Sequence, residues 1–378
     1  MLKSNISEYI KITVAITLVI VSSNSFGRLI NGAVLYEWCI FALIGGVIAL
    51  PEIAGILRKE WSTKLILLLP ILVALFSICS SYYQFLSFVA SLKIWCVLCA
   101  SLIFWNVKLI DSPARILALL SALLTITSLS LLDSNSIANK QSFSNMDQYL
   151  FRGWSIHENI MALELGLFIL LSMICFLTAK ASRERNLSLL YTVLAALFYF
   201  STSGLTSQVA LLAAFLYIAL YNRKGLQLIL SNLVICTVLI TPFIVGYGIP
   251  NQIFGLDITF TGRSKLWGDV INTALHSQWG IGWWNYTTRF NDWRAHTHND
   301  LLELWVASGY IGLVAILIGG AALINLLSRL RGDLVRSTYG GLIIYILICG
   351  ITEVPLTSAG FGLFCLYLTT LQADRIKA

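Results

Sequence analysis

"RAHTHNDLLELWVASGYIG" (residues 294–312) sets two histidines, an arginine and an asparagine at the lip of an apolar run that continues to residue 327. The run is long enough to cross a bilayer, so the stretch reads as the mouth of a membrane-spanning helix. Apolar runs of similar length recur along all 378 residues, which are 58% hydrophobic and only 11% charged, with a mean hydropathy of +0.82. A soluble fold could not hide so much apolar surface without exposing patches far larger than a monomer tolerates. The expected architecture is an all-α polytopic membrane helical bundle, one integral domain over residues 1–378.

Twelve spans are expected, at residues 10–30, 33–56, 65–80, 86–107, 116–132, 160–179, 187–202, 205–221, 227–248, 303–327, 339–352 and 356–371. With the N-terminus inside, seventeen of the twenty-five Lys and Arg residues fall on one side, among them Lys59, Lys180, Arg223 and Arg329. That bias marks the cytoplasmic face and puts both termini there. The first run shows no small-residue cleavage site and is read as a retained span. All eight cysteines sit inside apolar runs, so Cys96 and Cys99 are expected to be buried core thiols despite their Cys-x-x-Cys spacing.

Two outward loops are long, residues 133–159 and 249–302, and such loops in a compact bundle usually carry function. They contain every histidine, His157, His276, His296 and His298, and six of the eight remaining cations. A positive cluster on the face where topology disfavours it points to an anionic ligand at the outer membrane boundary. The net charge of +7 is spread over loops rather than gathered into a stripe, so no nucleic-acid partner is expected. In the second loop Leu266, Trp267, Val270, Ile271 and Ala274 share one helical face, predicting an amphipathic helix that rests on the bundle or in the interface.

Histidine accepts a proton near neutral pH, and Asn299 or Asp300 beside His298 is placed to hold its tautomer. Arginine offers a planar fork of donors for phosphate oxygens. Together they suit a reaction on a lipid-linked phosphate. His296-x-His298 lacks sequence-near partners at zinc spacing, there is no paired acidic motif, and no glycine-rich phosphate loop precedes a helix. No metal and no cofactor are expected.

The order "FTGRSKLW" (260–267), "WGIGWWNY" (279–286) and "HTHNDLLELWVASGYIGL" (296–313), with "FRGWSIHENIMA" (151–162) and "STSGLTSQVALLA" (201–213) upstream, resembles the O-antigen ligase and polymerase superfamily. The resemblance spans roughly residues 150–320. It implies a glycosyltransferase of the bacterial inner membrane, acting at the periplasmic face with residues 249–302 as its catalytic loop. The donor would be an undecaprenyl-diphosphate-linked oligosaccharide, and the acceptor a glycan hydroxyl or lipid A-core. Membrane lipids and a chain-length regulator are further candidate partners. The resemblance gives Arg263 the diphosphate and makes His298 the base on the acceptor hydroxyl. Asn299 would orient His298, while Gly309 and Gly312 would let the following helix pack closely. The substrate-binding candidates are Arg294, Arg152, Asn299, Arg289, His157 and Lys265. Ser207-Gln208 departs from the Ser-Arg or Ser-Lys of many members, and Arg289, Arg294 or Arg152 is the candidate replacement for the missing cation.

"DITFTGR" (257–263) looks most like exopolysaccharide polymerases of the superfamily, which favours chain elongation over ligation. A flippase or secondary transporter is the more distant alternative. Such carriers show related halves and midplane charges, whereas here the long loop interrupts only the second half and Lys93 and Glu164 are the clearest midspan charges.

Overall fold

The computed structural model of the chain describes residues 2–22, 35–81, 84–107, 112–130, 137–141, 147–151, 158–202, 204–247, 252–253, 256–257, 263–283, 297–356 and 360–375. Thirteen helices are described: α1 (Leu2–Ser22), α2 (Leu35–Ile56), α3 (Trp61–Ser80), α4 (Gln84–Asn106), α5 (Ser112–Ser130), α6 (Glu158–Thr178), α7 (Ser182–Phe200), α8 (Leu205–Ala219), α9 (Lys224–Gly246), α10 (Arg263–His276), α11 (Asp300–Arg329), α12 (Leu334–Cys349) and α13 (Phe361–Arg375). Twelve of them fall on the twelve apolar runs, and α10 is the amphipathic helix of the second long loop. By length and composition six can cross a membrane, namely α2, α3, α4, α6, α9 and α11, and α5, α8 and α12 are shorter apolar helices.

Two antiparallel hairpins depart from the all-α expectation. β1 (Ile137–Gln141) pairs with β2 (Asp147–Phe151), and β3 (Gln252–Ile253) with β4 (Leu256–Asp257). Both lie in the two long polar stretches between apolar runs, whose composition does not oblige the backbone to be helical.

α12 sits in the core because its small residues admit close neighbours. A Cβ on Gly340 would meet the Tyr217 ring of α8 at 2.5 Å, and one on Gly341 would meet Ile218 at 2.9 Å. On the α6 side the Tyr345 hydroxyl donates to the carbonyls of Ala162 and Leu163, at 3.2 and 3.0 Å, over Gly166. Cys96 and Cys99 are buried and free, as core thiols should be. The outer helices instead turn apolar side chains outward. Leu43 and Val47 of α2, Leu197 of α7 and Ile229 of α9 are each more than half exposed, which in lipid is their favourable side.

α11 fixes the long axis. Its last residue, Arg329, enters a polar cluster with Glu60 (3.0 Å), Asp374 (3.3 Å), Ser62 (3.1 Å) and Thr63 (3.4 Å), and Lys59 pairs with Asp374 at 3.1 Å. Its first residue lies at the opposite end, since Asp300 bonds to Gly350 at the far end of α12, a helix that starts at Leu334, five residues past Arg329. Lys59 and Arg329, read above as cytoplasmic, therefore meet at one end of the bundle and His298 stands at the other.

Candidate active site

α11 starts where Asn299 caps it: the side-chain oxygen accepts from the Leu302 N–H at 2.9 Å, with Asp300 and Glu303 in the first turn to complement the positive helix end. The cap is also stapled to the turn that follows α12. Asn299 Nδ2 donates to the Ile351 carbonyl at 2.9 Å, Asp300 N–H to the Gly350 carbonyl at 3.0 Å, and the Asp300 carboxylate accepts from Leu356 N–H at 3.2 Å. These bonds bring two segments fifty residues apart into register, so that His298 faces Glu353.

Glu353 is the centre of the constellation. Arg263, the first residue of α10, places Nη2 3.1 Å from its Oε1, and Asn159, at the start of α6, donates to the same oxygen at 3.4 Å. His298 Nδ1 lies 3.6 Å from Oε2. The imidazole thus turns Nδ1 toward the carboxylate, and its side chain is the most accessible of the three, 30% exposed against 16% for Arg263 and 12% for Glu353. A carboxylate behind one ring nitrogen favours the tautomer with its proton there, which leaves Nε2 as the acceptor.

α10 reaches this corner because its apolar face packs on α9 and α11. Trp267, Val270, Ile271 and Ala274 are all buried. Of the two placements expected for this helix, the structure shows the one on the bundle. One turn after Arg263, Trp267 Nε1 donates to the Thr297 carbonyl at 2.8 Å, and the Thr297 hydroxyl donates to Glu303 Oε2 at 2.8 Å.

α11 is broken inside its apolar run. Gly309 adopts φ 59° and ψ −138°, and the segment 278–282 crosses the break. Ile281 N–H bonds to the Val306 carbonyl at 2.9 Å, Gly282 N–H to Ala307 at 2.9 Å, and Tyr310 N–H returns a bond to Gln278 at 3.0 Å. A Cβ on Gly309 would strike the Gln278 carbonyl oxygen, and one on Gly312 the Leu304 carbonyl oxygen of the displaced turn. The two glycines therefore serve the break and its strap, rather than the close helix packing expected from sequence. Beyond the strap, Trp283 is buried and its N–H bonds to Ser87 Oγ of α4 at 2.8 Å.

Of the sequence candidates, the structure joins Arg263 and His298 through Glu353. Asn299 is fully buried, and its side-chain bonds go to backbone groups rather than to the His298 ring, so it acts on the histidine through the chain. Lys265 is exposed on α10, two residues from Arg263 and hence on a different side of the helix. Arg152, His157, Arg289, Arg294 and His296 lie outside the described residues. His276 ends α10 with Nδ1 2.7 Å from the Asn272 carbonyl of its own helix. Among the described residues no three His, Cys, Asp or Glu side chains gather as a metal ion would require. Glu353 and Asn159 were missed from sequence. The available signal was that Glu353 is the only charged residue between Arg336 and Asp374.

No curated protein and no solved structure matches the chain. A family model does: residues 165–317 match Wzy_C, described as O-antigen ligase, a stretch that includes Arg263, His298 and Gly309 and stops short of Glu353. Over that stretch the chain is similar to the O-antigen ligase family, which supports a place in the O-antigen ligase and polymerase superfamily, and the six helices long and apolar enough to cross a membrane agree with it.

Proposed function

We propose that the chain is a periplasm-facing glycosyltransferase of the bacterial inner membrane that passes an oligosaccharide from undecaprenyl diphosphate to a hydroxyl of a growing glycan, a polysaccharide polymerase. The observation that carries this is the meeting of Arg263 and His298 on Glu353 at the end of the bundle away from the Arg329 cluster. The acceptor hydroxyl gives its proton to His298 Nε2 as its oxygen bonds to the anomeric carbon, and the bond from that carbon to the diphosphate oxygen breaks. Glu353 balances the imidazolium. The leaving diphosphate departs as a stabilised anion, so it needs charge neutralisation more than protonation, and Arg263 supplies it. Held by Glu353 through one terminal nitrogen, the guanidinium retains further N–H donors for phosphate oxygens.

An apolar cavity of about 160 Å³ supports a lipid-linked donor. It lies between α3, α9, α11 and α13, and its upper wall is Trp283, Asp300, Gly350 and Leu356, next to the residues that hold His298. Hydrocarbon below and a charged head above is the layout that such a donor requires.

Glycolipid analysis of a deletion strain tests the reading. Loss of long chains with single-repeat capping retained is the expected result. Polymer left on undecaprenyl diphosphate and unattached would make the chain a ligase, and lipid-linked repeats stranded on the cytoplasmic leaflet would make it a flippase. In purified protein, His298→Ala should lower turnover by about a hundred to ten thousandfold with donor binding preserved.

A further inference from the structure

His298 has φ 49°, and among the described residues it is the one non-glycine with positive φ. That backbone state costs of the order of 1–2 kcal/mol for an L-residue and persists only where neighbours over-determine it. Both neighbours of His298 are 0% exposed and locked by bonds on opposite sides. Asn299 is held by Leu302 and Ile351. Thr297 is held twice, its carbonyl by the Trp267 indole and its hydroxyl by Glu303, each at 2.8 Å. We propose that Thr297, gripped by Glu303 and Trp267, is a positioning residue that holds His298 in its left-handed conformation and so keeps the imidazole on Glu353.

The arrangement couples base to cation. Trp267 and Arg263 are one turn apart on α10, so the bond that fixes Thr297 also registers the helix carrying Arg263. Without the Thr297 hydroxyl, the Glu303 carboxylate loses a buried donor and the peptide before His298 is free to relax toward an ordinary φ. The ring then swings away from Glu353. Displacement of a base by about 1 Å costs turnover of the order of tenfold to a hundredfold while leaving ground-state binding intact.

The proposal rests on His298 being the base, so His298→Ala runs beside every variant. Thr297→Val keeps the shape and removes the hydroxyl; turnover should fall about tenfold or more with donor KM within about twofold of the parent. Thr297→Ser should restore it. Trp267→Phe provides an independent arm with the same expected split, should Thr297→Val fold poorly. Folded Thr297→Val or Trp267→Phe at parental turnover beside an inactive His298→Ala overturns the positioning role alone. So does a loss that Thr297→Ser fails to restore. Parental turnover in His298→Ala overturns the base assignment and the positioning role together.

Discussion

Glu353→Gln isolates the charge at the centre of the site, because the amide keeps the carboxylate's shape and an acceptor oxygen for Arg263 and Asn159. The perturbation is loss of the anion facing the imidazolium that forms during transfer. At the 3.6 Å separation of His298 Nδ1 and Oε2, unit charges attract by about 1 kcal/mol in water and about 4–5 kcal/mol at an effective dielectric near 20. His298 is partly open to solvent and Glu353 mostly enclosed, which puts the interaction between these limits. A value of about 2–3 kcal/mol corresponds to a turnover loss of about 30- to 150-fold. The assay is initial-rate elongation by purified protein over a range of lipid-linked donor, with thermal unfolding in detergent as the check on folding. Glu353→Asp should recover part of the rate, since the charge returns on a shorter stem. Turnover within twofold of the parent in a folded Glu353→Gln protein, beside an inactive His298→Ala, would refute the role of the carboxylate.

Gly309→Ala should lower the unfolding midpoint by more than about 4 °C, because the residue is forced into a left-handed state and its Cβ meets the Gln278 carbonyl oxygen. Arg263→Lys should recover little of the donor affinity lost in Arg263→Ala, about tenfold or more below the parent, since a point charge cannot reproduce the fork; steady-state KM reads this directly. Cysteine labelling should report positions 140 and 290 outside and 60, 183, 224 and 331 inside; a cytoplasmic reading at 290 would put the loop on the wrong side of the membrane for a translocated donor.

Helix placement was legible because apolar length is a local property. The twelve runs and the face Trp267, Val270, Ile271, Ala274 needed only local pattern, and twelve helices and α10 stand where those patterns lie, six of them long and apolar enough to cross a membrane. Arg263 and His298 stood out in the sequence because cations and histidines gather in the long stretches between apolar runs, and the structure brings the two onto one carboxylate. Glu353 was not, because its partners are ninety and fifty-five positions away and its meaning depends on the Asn299 and Asp300 staple that no local pattern encodes. The break at Gly309 was hidden for a similar reason. A glycine in an apolar run fits close packing equally well, and only the strap of residues 278–282, folded back from the preceding loop, decides between the two.

That strap hydrogen-bonds to α11 through main-chain groups, while Ile281 is buried in the core and Trp279 lies against Phe76 of α3. Its three bonds to the two sides of the broken helix name no side chain, and what they demand is room for bare backbone at Gly280 and Gly309, where any Cβ would meet a carbonyl oxygen. The hydrogen bonds themselves are blind to side chains, and the demand on sequence falls on the two glycines and on the apolar residue at 281. A segment from a relative would seat in the same groove if it kept glycine at position 280 and an apolar residue at 281, and met glycine at 309. His298, Arg263 and Glu353 lie outside the strap, at the foot of α11, on α10 and in the turn after α12, so the strap can vary without touching their positions in the chain.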